Sequence, residues 1–319
     1  MSTTASDLAA GGLAGRRFPG YRRPDGAVGI RNHLLVLSTV ALTNRLAELV
    51  VEGNARATLV AGDWLRGLRG EDAGQQALVL EQLVGHGNVG GCLLFCHDSV
   101  SARQCQAIAE RSGKPWRVQA LMSADGMTDA VAQGRAALAA LQREVDASRR
   151  VEVPIAGLTV ALECGGSDAT SALAANPAIG RFVDRLLAAG GTAIVSETAE
   201  FVGAEAVIRE RARTPAVAEQ ILAAMARTEA RLSEDGGQYR GVNPTAENIE
   251  AGLTTLVEKT MGAIAKTGSQ PFAGCLGFAG KPPGAGLYFM DTPFFSPISI
   301  TGMVAAGAQL TLFAVGVFN

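Results

Sequence analysis

The chain is poor in the residues that build common metal and redox sites. It has three histidines and five cysteines in 319 residues, and aromatic residues make up only 5%. Cys92, Cys96, Cys105, Cys164 and Cys275 are odd in number, widely spaced and contain no CxxC pair. That usage argues against a disulfide framework and against a structural zinc finger, and a reduced, cytoplasmic setting is expected. No run of about 18 uncharged apolar residues suggests a membrane span. The N-terminus has no basic start followed by an apolar core, so no signal peptide is expected. There is no excess of positive charge either. Twenty-eight Lys and Arg against 30 Asp and Glu give a formal net charge of −2, which offers no field for a nucleic-acid backbone. The patterns GxxxxGK followed by Ser or Thr, HExxH and GxSxG are all missing, which argues against P-loop chemistry, zincin proteolysis and the α/β-hydrolase elbow.

What is present is a globular composition, 48% hydrophobic, in a chain long enough for two domains. Residues 1–19 read as a flexible tail, 20–148 as a first α/β domain and 154–319 as a second, with the polar stretch Ala147–Pro154 as the boundary. Strands are predicted at His33–Val40, Ala57–Ala61, Gly91–Cys96 and Trp116–Ala120, then at Leu158–Leu162, Thr192–Ser196, Gly286–Met290 and Gln309–Val315. Helical stretches lie between them, among them Asp129–Ser148, Asn176–Ala189, Pro215–Leu232 and Leu253–Lys266. This alternation predicts two α/β domains with mostly parallel sheets flanked by helices. Gly274–Gly286 reads as a connecting or covering loop.

The strongest chemical signal is Cys164-Gly165-Gly166-Ser167-Asp168, which follows the apolar run Ile155–Leu162. Paired glycines let an anion approach the backbone, while Cys164 or Asp168 can ligate a metal or move a proton. The plain alternative is a tight strand-to-helix turn with an inert cysteine. Ser196-Glu197-Thr198-Ala199-Glu200 places two carboxylates just past a strand, as a general base or as metal oxygens. Alternatively, Thr198 and Glu200 cap the next helix and Glu197 is solvated. Asp291 and Thr292 end a third strand, so three acidic loops are expected on one sheet edge. In the first half, Arg31 can clamp a carboxylate or form a surface salt bridge. Cys96-His97-Asp98 offers a thiol, an imidazole and a carboxylate whose side chains point apart. His33 and His86 stand alone and do not read as ligands.

In this order the motifs resemble the altronate and galactarate dehydratase family, which includes the large subunit of sulfolactate sulfo-lyase. The matching residues are Gly20–Gly26, Gly29-Ile30-Arg31-Asn32, Ser38-Thr39-Val40, Cys164–Asp168, Ala175–Gly180, Gly190-Gly191-Thr192, Ser196-Glu197-Thr198, Gly203-Ala204-Glu205, Gly252–Thr255, Glu258-Lys259 and Met290-Asp291-Thr292-Pro293. The resemblance implies a lyase that dehydrates a sugar acid to a 2-keto-3-deoxy acid, or releases sulfite from a sulfonated hydroxy acid. It implies a divalent metal, typically Fe(II), and for the sulfo-lyase a small SAF-type partner subunit. On this basis Asp168, Glu197 and Ser167 are the candidate catalytic residues. Cys164, Cys96 and His97 are candidate metal contacts, and Arg31, Asn32, Gly165, Gly166, Thr198, Asp291 and Thr292 are candidate substrate contacts. A homo-oligomer is compatible with the Ala-rich composition.

The chain also departs from the family pattern. Ala61–Gly70 lacks the expected His and Cys, Leu42 stands where a cysteine is usual, and Glu247-Asn248-Ile249 replaces Gly-Asn-Lys. Relatives also continue past the residues that end this sequence. A divergent lyase, a fragment and a binding paralogue are therefore all compatible with the residues.

Overall fold

The computed structural model describes residues 12–62, 68–233, 243–293 and 296–317. The chain divides into two compact units, one of Phe18–Val153 and one of the residues from Pro154 onward together with those before Phe18.

In the first unit, strands β1 (Arg17–Arg22) and β2 (Val28–Gly29) pair antiparallel, and they form a three-stranded sheet with β7 (Val151–Pro154) in the order β2-β1-β7. The chain is thus already in a strand at Arg17, inside the stretch read as a tail, whose first eleven residues lie outside the described residues. The main sheet holds β3 (His33–Ser38), β4 (Ala57–Val60), β5 (Val89–Cys96) and β6 (Trp116–Ala120) in the parallel order β4-β3-β5-β6. Helices α1 (Asn44–Val51), α2 (Gly70–Gly85), α3 (Ser99–Arg111) and α4 (Met127–Asp146) connect them. β5 is buried at every residue, as a central parallel strand covered on both faces requires. α4 presents Ala130, Gly134, Leu138, Leu141 and Val145 to this core, the one-sided stripe of an amphipathic helix.

The second unit continues with β8 (Thr159–Gly165), α5 (Asn176–Ala188), β9 (Thr192–Val195), α6 (Glu205–Arg211), α7 (Pro215–Leu232), α8 (Ala246–Glu250), α9 (Leu256–Ile264), β10 (Phe272–Leu276), β11 (Gly286–Met290), α10 (Ser296–Ala305) and β12 (Leu310–Val315). Its five strands are parallel in the order β10-β11-β9-β8-β12. Local signals set the helix starts. Thr214 caps α7 ahead of Pro215, and Thr255 with Glu258 forms a capping box on α9. Phe201 anchors the core, edge-on to Phe289 at 5.0 Å and to Phe272 at 6.4 Å between ring centroids. Burying each such ring contributes about 1.5–3 kcal/mol.

Two expectations need correction. The Gly274–Gly286 segment begins inside a strand, because β10 extends to Leu276 and buries Phe272 fully. Gly274 had hidden its alternation. The three-stranded sheet of the first unit was not expected either, since Arg-rich β1 and the two-residue β2 carry little apolar pattern. Among the described residues, no helix is long and apolar enough to cross a membrane.

Candidate active site

β11, β9 and β8 are neighbours and parallel, so the loops that follow them share one edge of the sheet. The strand order reverses at β8, with β9 on one side and β12 on the other. The carboxyl end of a strand at such a reversal is where open α/β sheets hold ligands. All three acidic loops expected from the sequence meet here.

Their meeting point is a buried ionic cluster. Lys266, fully buried in the turn after α9, donates to Glu200 Oε2 at 2.6 Å and to Cys164 Sγ at 3.1 Å. The Cys164 thiol also lies 3.5 Å and 3.6 Å from the two Glu200 oxygens. Glu163, 0% exposed at the end of β8, accepts from Ser196 Oγ at 3.4 Å and from the Cys164 N–H at 3.3 Å. Glu197 accepts from Ser296 Oγ at 3.1 Å.

This burial reorganises the protons. Desolvation raises the Glu163 pKa to about 7, with Lys266 opposing and Glu200 adding to the shift. Desolvation, then the charges of Glu200 and Glu163, push Glu197 up to about 9, so it keeps a proton at neutral pH. Burial, followed by Glu200, pushes the Cys164 thiol up to about 12. For Lys266, burial pulls the pKa down, but Cys164, Glu200 and Glu163 more than reverse this and hold the ammonium well above its ordinary value.

Glu197 has a left-handed backbone, φ 63° and ψ 73°, which is costly for a residue with a Cβ. Neighbouring groups hold it there. Its N–H donates to Thr292 Oγ1 at 2.9 Å, and the Thr292 N–H donates to Thr198 Oγ1 at 3.1 Å. Thr198 Oγ1 donates to Asp291 Oδ1 at 2.8 Å, and Arg227 closes the chain on Asp291 Oδ2 at 2.8 Å. Backbone strain of this kind persists only where the surroundings over-determine it, and it concentrates at functional sites.

The structure gathers Cys164, Ser167, Glu197, Thr198, Asp291 and Thr292 around this edge, with Gly165 ending β8 and Gly166 beginning the loop after it. Thr198 and Glu200 are buried within the cluster and Glu197 nearly so; none is a solvated cap. Asp168 has a different local task. Its Oδ1 accepts from Thr170 Oγ1 and from both the N–H and Oγ of Ser171, bonds that lower its pKa, with the Ser171 backbone contributing most. Ser167 Oγ points to Cys164 Sγ at 3.8 Å, and the Ser167 carbonyl accepts from Asn248 Nδ2 at 2.9 Å.

Arg31, Asn32, Cys96 and His97 belong to the first unit. Arg31 is exposed. The Asn32 side chain accepts from Arg23 Nη1 at 2.9 Å and donates to the Val145 carbonyl at 2.8 Å. The buried Cys96 thiol faces the Gln119 carbonyl at 3.6 Å; a hydrogen bond with the free thiol of Cys105, then burial, raises its pKa. His97 Nδ1 lies 3.5 Å from Asp98 Oδ2, and Asp98 caps α3 through the N–H groups of Val100 and Ser101. Of the departures near the second strand, residues 63–67 lie outside the described residues. Leu42 is exposed.

Sequence reasoning missed Glu163 and Lys266. The available signals were a charged residue inside a buried apolar strand and a lysine ending the apolar helix α9.

Among the described residues, Glu163, Glu197 and Glu200 form the one group of three or more acidic, His or Cys side chains whose ligand atoms lie within 4.8 Å of one another. Hard carboxylate oxygens suit a divalent cation, and a bound cation would favour the ionised forms of acids that burial otherwise keeps protonated. The donor set therefore fits a divalent ion. Cys164, Cys96 and His97 are outside this group.

Comparisons with known proteins agree in both units. Residues 155–318 match the family described as D-galactarate/altronate dehydratase, C-terminal, and residues 20–146 match D-galactarate dehydratase/altronate hydrolase, second domain. The altronate dehydratase of Bacillus subtilis (strain 168) is 30% identical over 315 residues, covering 94% of this chain and 62% of the relative. That of Escherichia coli (strain K12) is 29% identical over 319 residues, covering 95% and 63%. The chain thus spans less than two thirds of either altronate dehydratase. The (2R)-sulfolactate sulfo-lyase subunit beta of Chromohalobacter salexigens is 31% identical over 317 residues, covering 96% of this chain and 79% of the relative. On these matches, and on the ordered motifs that converge at the sheet edge, the chain belongs to the D-galactarate/altronate dehydratase family.

Proposed function

We propose that the chain carries the catalytic cluster of a hydro-lyase that removes water from a sugar acid of the altronate or galactarate kind and yields a 2-keto-3-deoxy acid. The observation that carries this reading is Glu197, a buried carboxylic acid on a strained backbone, among Glu163, Glu200 and Lys266. Eliminating a hydroxyl needs a proton for the departing oxygen. An acid whose pKa stands at about 9 still holds one at neutral pH. Glu197 supplies it. Thr292 and Ser296 fix its backbone and its carboxyl, so its position does not depend on the substrate's arrival. Lys266 holds Glu200 and screens the cluster's negative charge.

Glu163 and Glu200 would hold the divalent ion, with Fe(II) the family expectation, which leaves Glu197 to handle the proton. When bound, such an ion supplies positive charge against the carboxylate dianion that forms when the α-proton of a hydroxy acid is removed.

A second reading, a sulfo-lyase subunit acting on sulfolactate with a small partner, rests on the 31% identity across 96% of the chain to the sulfo-lyase subunit beta. One assay separates the two. Protein reconstituted with Fe(II) without oxygen is given altronate, galactarate or sulfolactate, and keto-acid and sulfite release are followed. Keto-acid from a sugar acid, lost in Glu197→Gln, is the expected result. Sulfite released only when a small partner subunit is added supports the second reading. Tight sugar-acid binding with no product under any condition makes the chain a binding paralogue.

A further inference from the structure

We propose that Cys164 and Lys266 are a redox-responsive pair that dioxygen joins covalently through one oxygen atom, between Lys266 Nζ and Cys164 Sγ. The two atoms lie 3.1 Å apart, and both side chains are essentially fully buried. Glu200 touches both, at 2.6 Å from Nζ and 3.5 Å from Sγ, and so stands ready to take the ammonium proton. In a close-packed interior, an oxygen spanning the two atoms needs less movement than a direct sulfur–nitrogen bond.

Within its own unit, oxidation of Cys164 has no thiol outlet. The other cysteine of this unit, Cys275, lies on β10, three strands from β8 in the order β10-β11-β9-β8. At about 4.8 Å per strand the separation is roughly 14 Å. A disulfide needs Cα atoms closer than about 7 Å. The amine is the partner within reach.

The step balances with one dioxygen. Glu200 takes the ammonium proton, leaving the Lys266 amine. One N–H, the S–H and the O–O bond break, and an N–O and an S–O bond form. The second oxygen leaves as water with the two hydrogens released. Nitrogen and sulfur are oxidised and dioxygen is reduced. Two equivalents of a dithiol reverse it, restoring amine and thiol and releasing a second water. The cross-link removes the ammonium from the cluster and leaves Glu200 without its ion-pair partner. The consequence for turnover, a site shut by oxygen and reopened by reductant, rests on the lyase reading given above.

The test uses wild-type protein prepared with reductant and without oxygen, then split into an anaerobic half and a half exposed to dioxygen, each digested with trypsin and read by mass spectrometry. In the exposed half, the peptide containing Cys164 should be joined to the peptide containing Lys266. Its mass should be the sum of the two plus one oxygen less two hydrogens. Cleavage after Lys266 should be lost, and dithiothreitol should reverse both changes. Turnover should fall with the cross-link and return with the reductant. The variant Cys275→Ser should cross-link as wild type does. A free Cys164, or one carrying two or three oxygens with cleavage after Lys266 intact, overturns the proposal, as does loss of the cross-link in Cys275→Ser. If the reduced protein turns over and no cross-link forms, this proposal fails and the lyase stands. A cross-link in protein that never turns over sinks the lyase reading and leaves the modification.

Discussion

At the carboxyl edge of the first unit's parallel sheet, β5 closes with Cys96-His97-Asp98, where Asp98 caps a helix, and Leu42, Val100 and Met122, in the segments after β3, β5 and β6, lie exposed. At the same edge of the second unit's sheet, β8 closes with Glu163 and Cys164, and three carboxylates share a water-poor cluster with one ammonium. The architecture is the same; the side chains at the strand ends are not. A charge that ends a strand in solvent is satisfied cheaply by a backbone N–H. A charge that ends one beneath a helix must be neutralised by a proton, an ion or an opposite charge, and that requirement makes it chemically useful. Function lives in such grafted groups rather than in the fold.

The comparison can be broken most forcefully at Lys266. Replacing it in Lys266→Met leaves Glu200 buried without its cation, and urea unfolding should show a loss of about 3–5 kcal/mol. Arg111→Ala, which breaks the half-exposed, solvent-screened Arg111–Glu81 pair of the first unit, should lower the urea midpoint far less. Equal losses would mean that the buried cluster is not special.

The pH dependence of stability sharpens the contrast. Glu163 and Glu197 have folded-state pKa values of about 7 and about 9 against 4.5 for an ordinary glutamate. Between these limits the folded metal-free protein binds more protons than the unfolded chain. Their contribution is therefore complete below 4.5 and is lost as pH rises through 7 and then 9. The urea midpoint should fall over that range, and Glu197→Gln should flatten its upper part. A level profile would show that the acids are solvated.

A small effect is also expected at Asp98. Removing this helix cap in Asp98→Ala should lower the urea midpoint slightly. A loss as large as that of Lys266→Met would place a buried network in the first unit as well.

Much of the fold was readable because local patterns set it. Trp116–Ala120, Gly286–Met290 and Pro215–Leu232 fall where apolar runs, glycines and a proline mark their ends. β10 escaped because Gly274 interrupts its alternation, and the short strands of the first unit rely on partners distant in sequence. The site was half legible. Glu197 and Cys164 follow strands in motifs that advertise a turn, whereas Lys266 is 102 residues from Cys164 and meets it only through packing. Asn32 reads as a substrate ligand beside Arg31, yet its amide is engaged by Arg23 and Val145. Local sequence shows that a polar group is present; its partner is a property of the folded chain.

Gly180 of α5 lies so close to the Ala265 carbonyl that a Cβ there would collide with it, and Ala265 immediately precedes Lys266. Main chain rests on main chain at this point, with no side chain between. Backbone contact, rather than the apolar side chains around the helix, thus sets where the segment carrying the lysine lies.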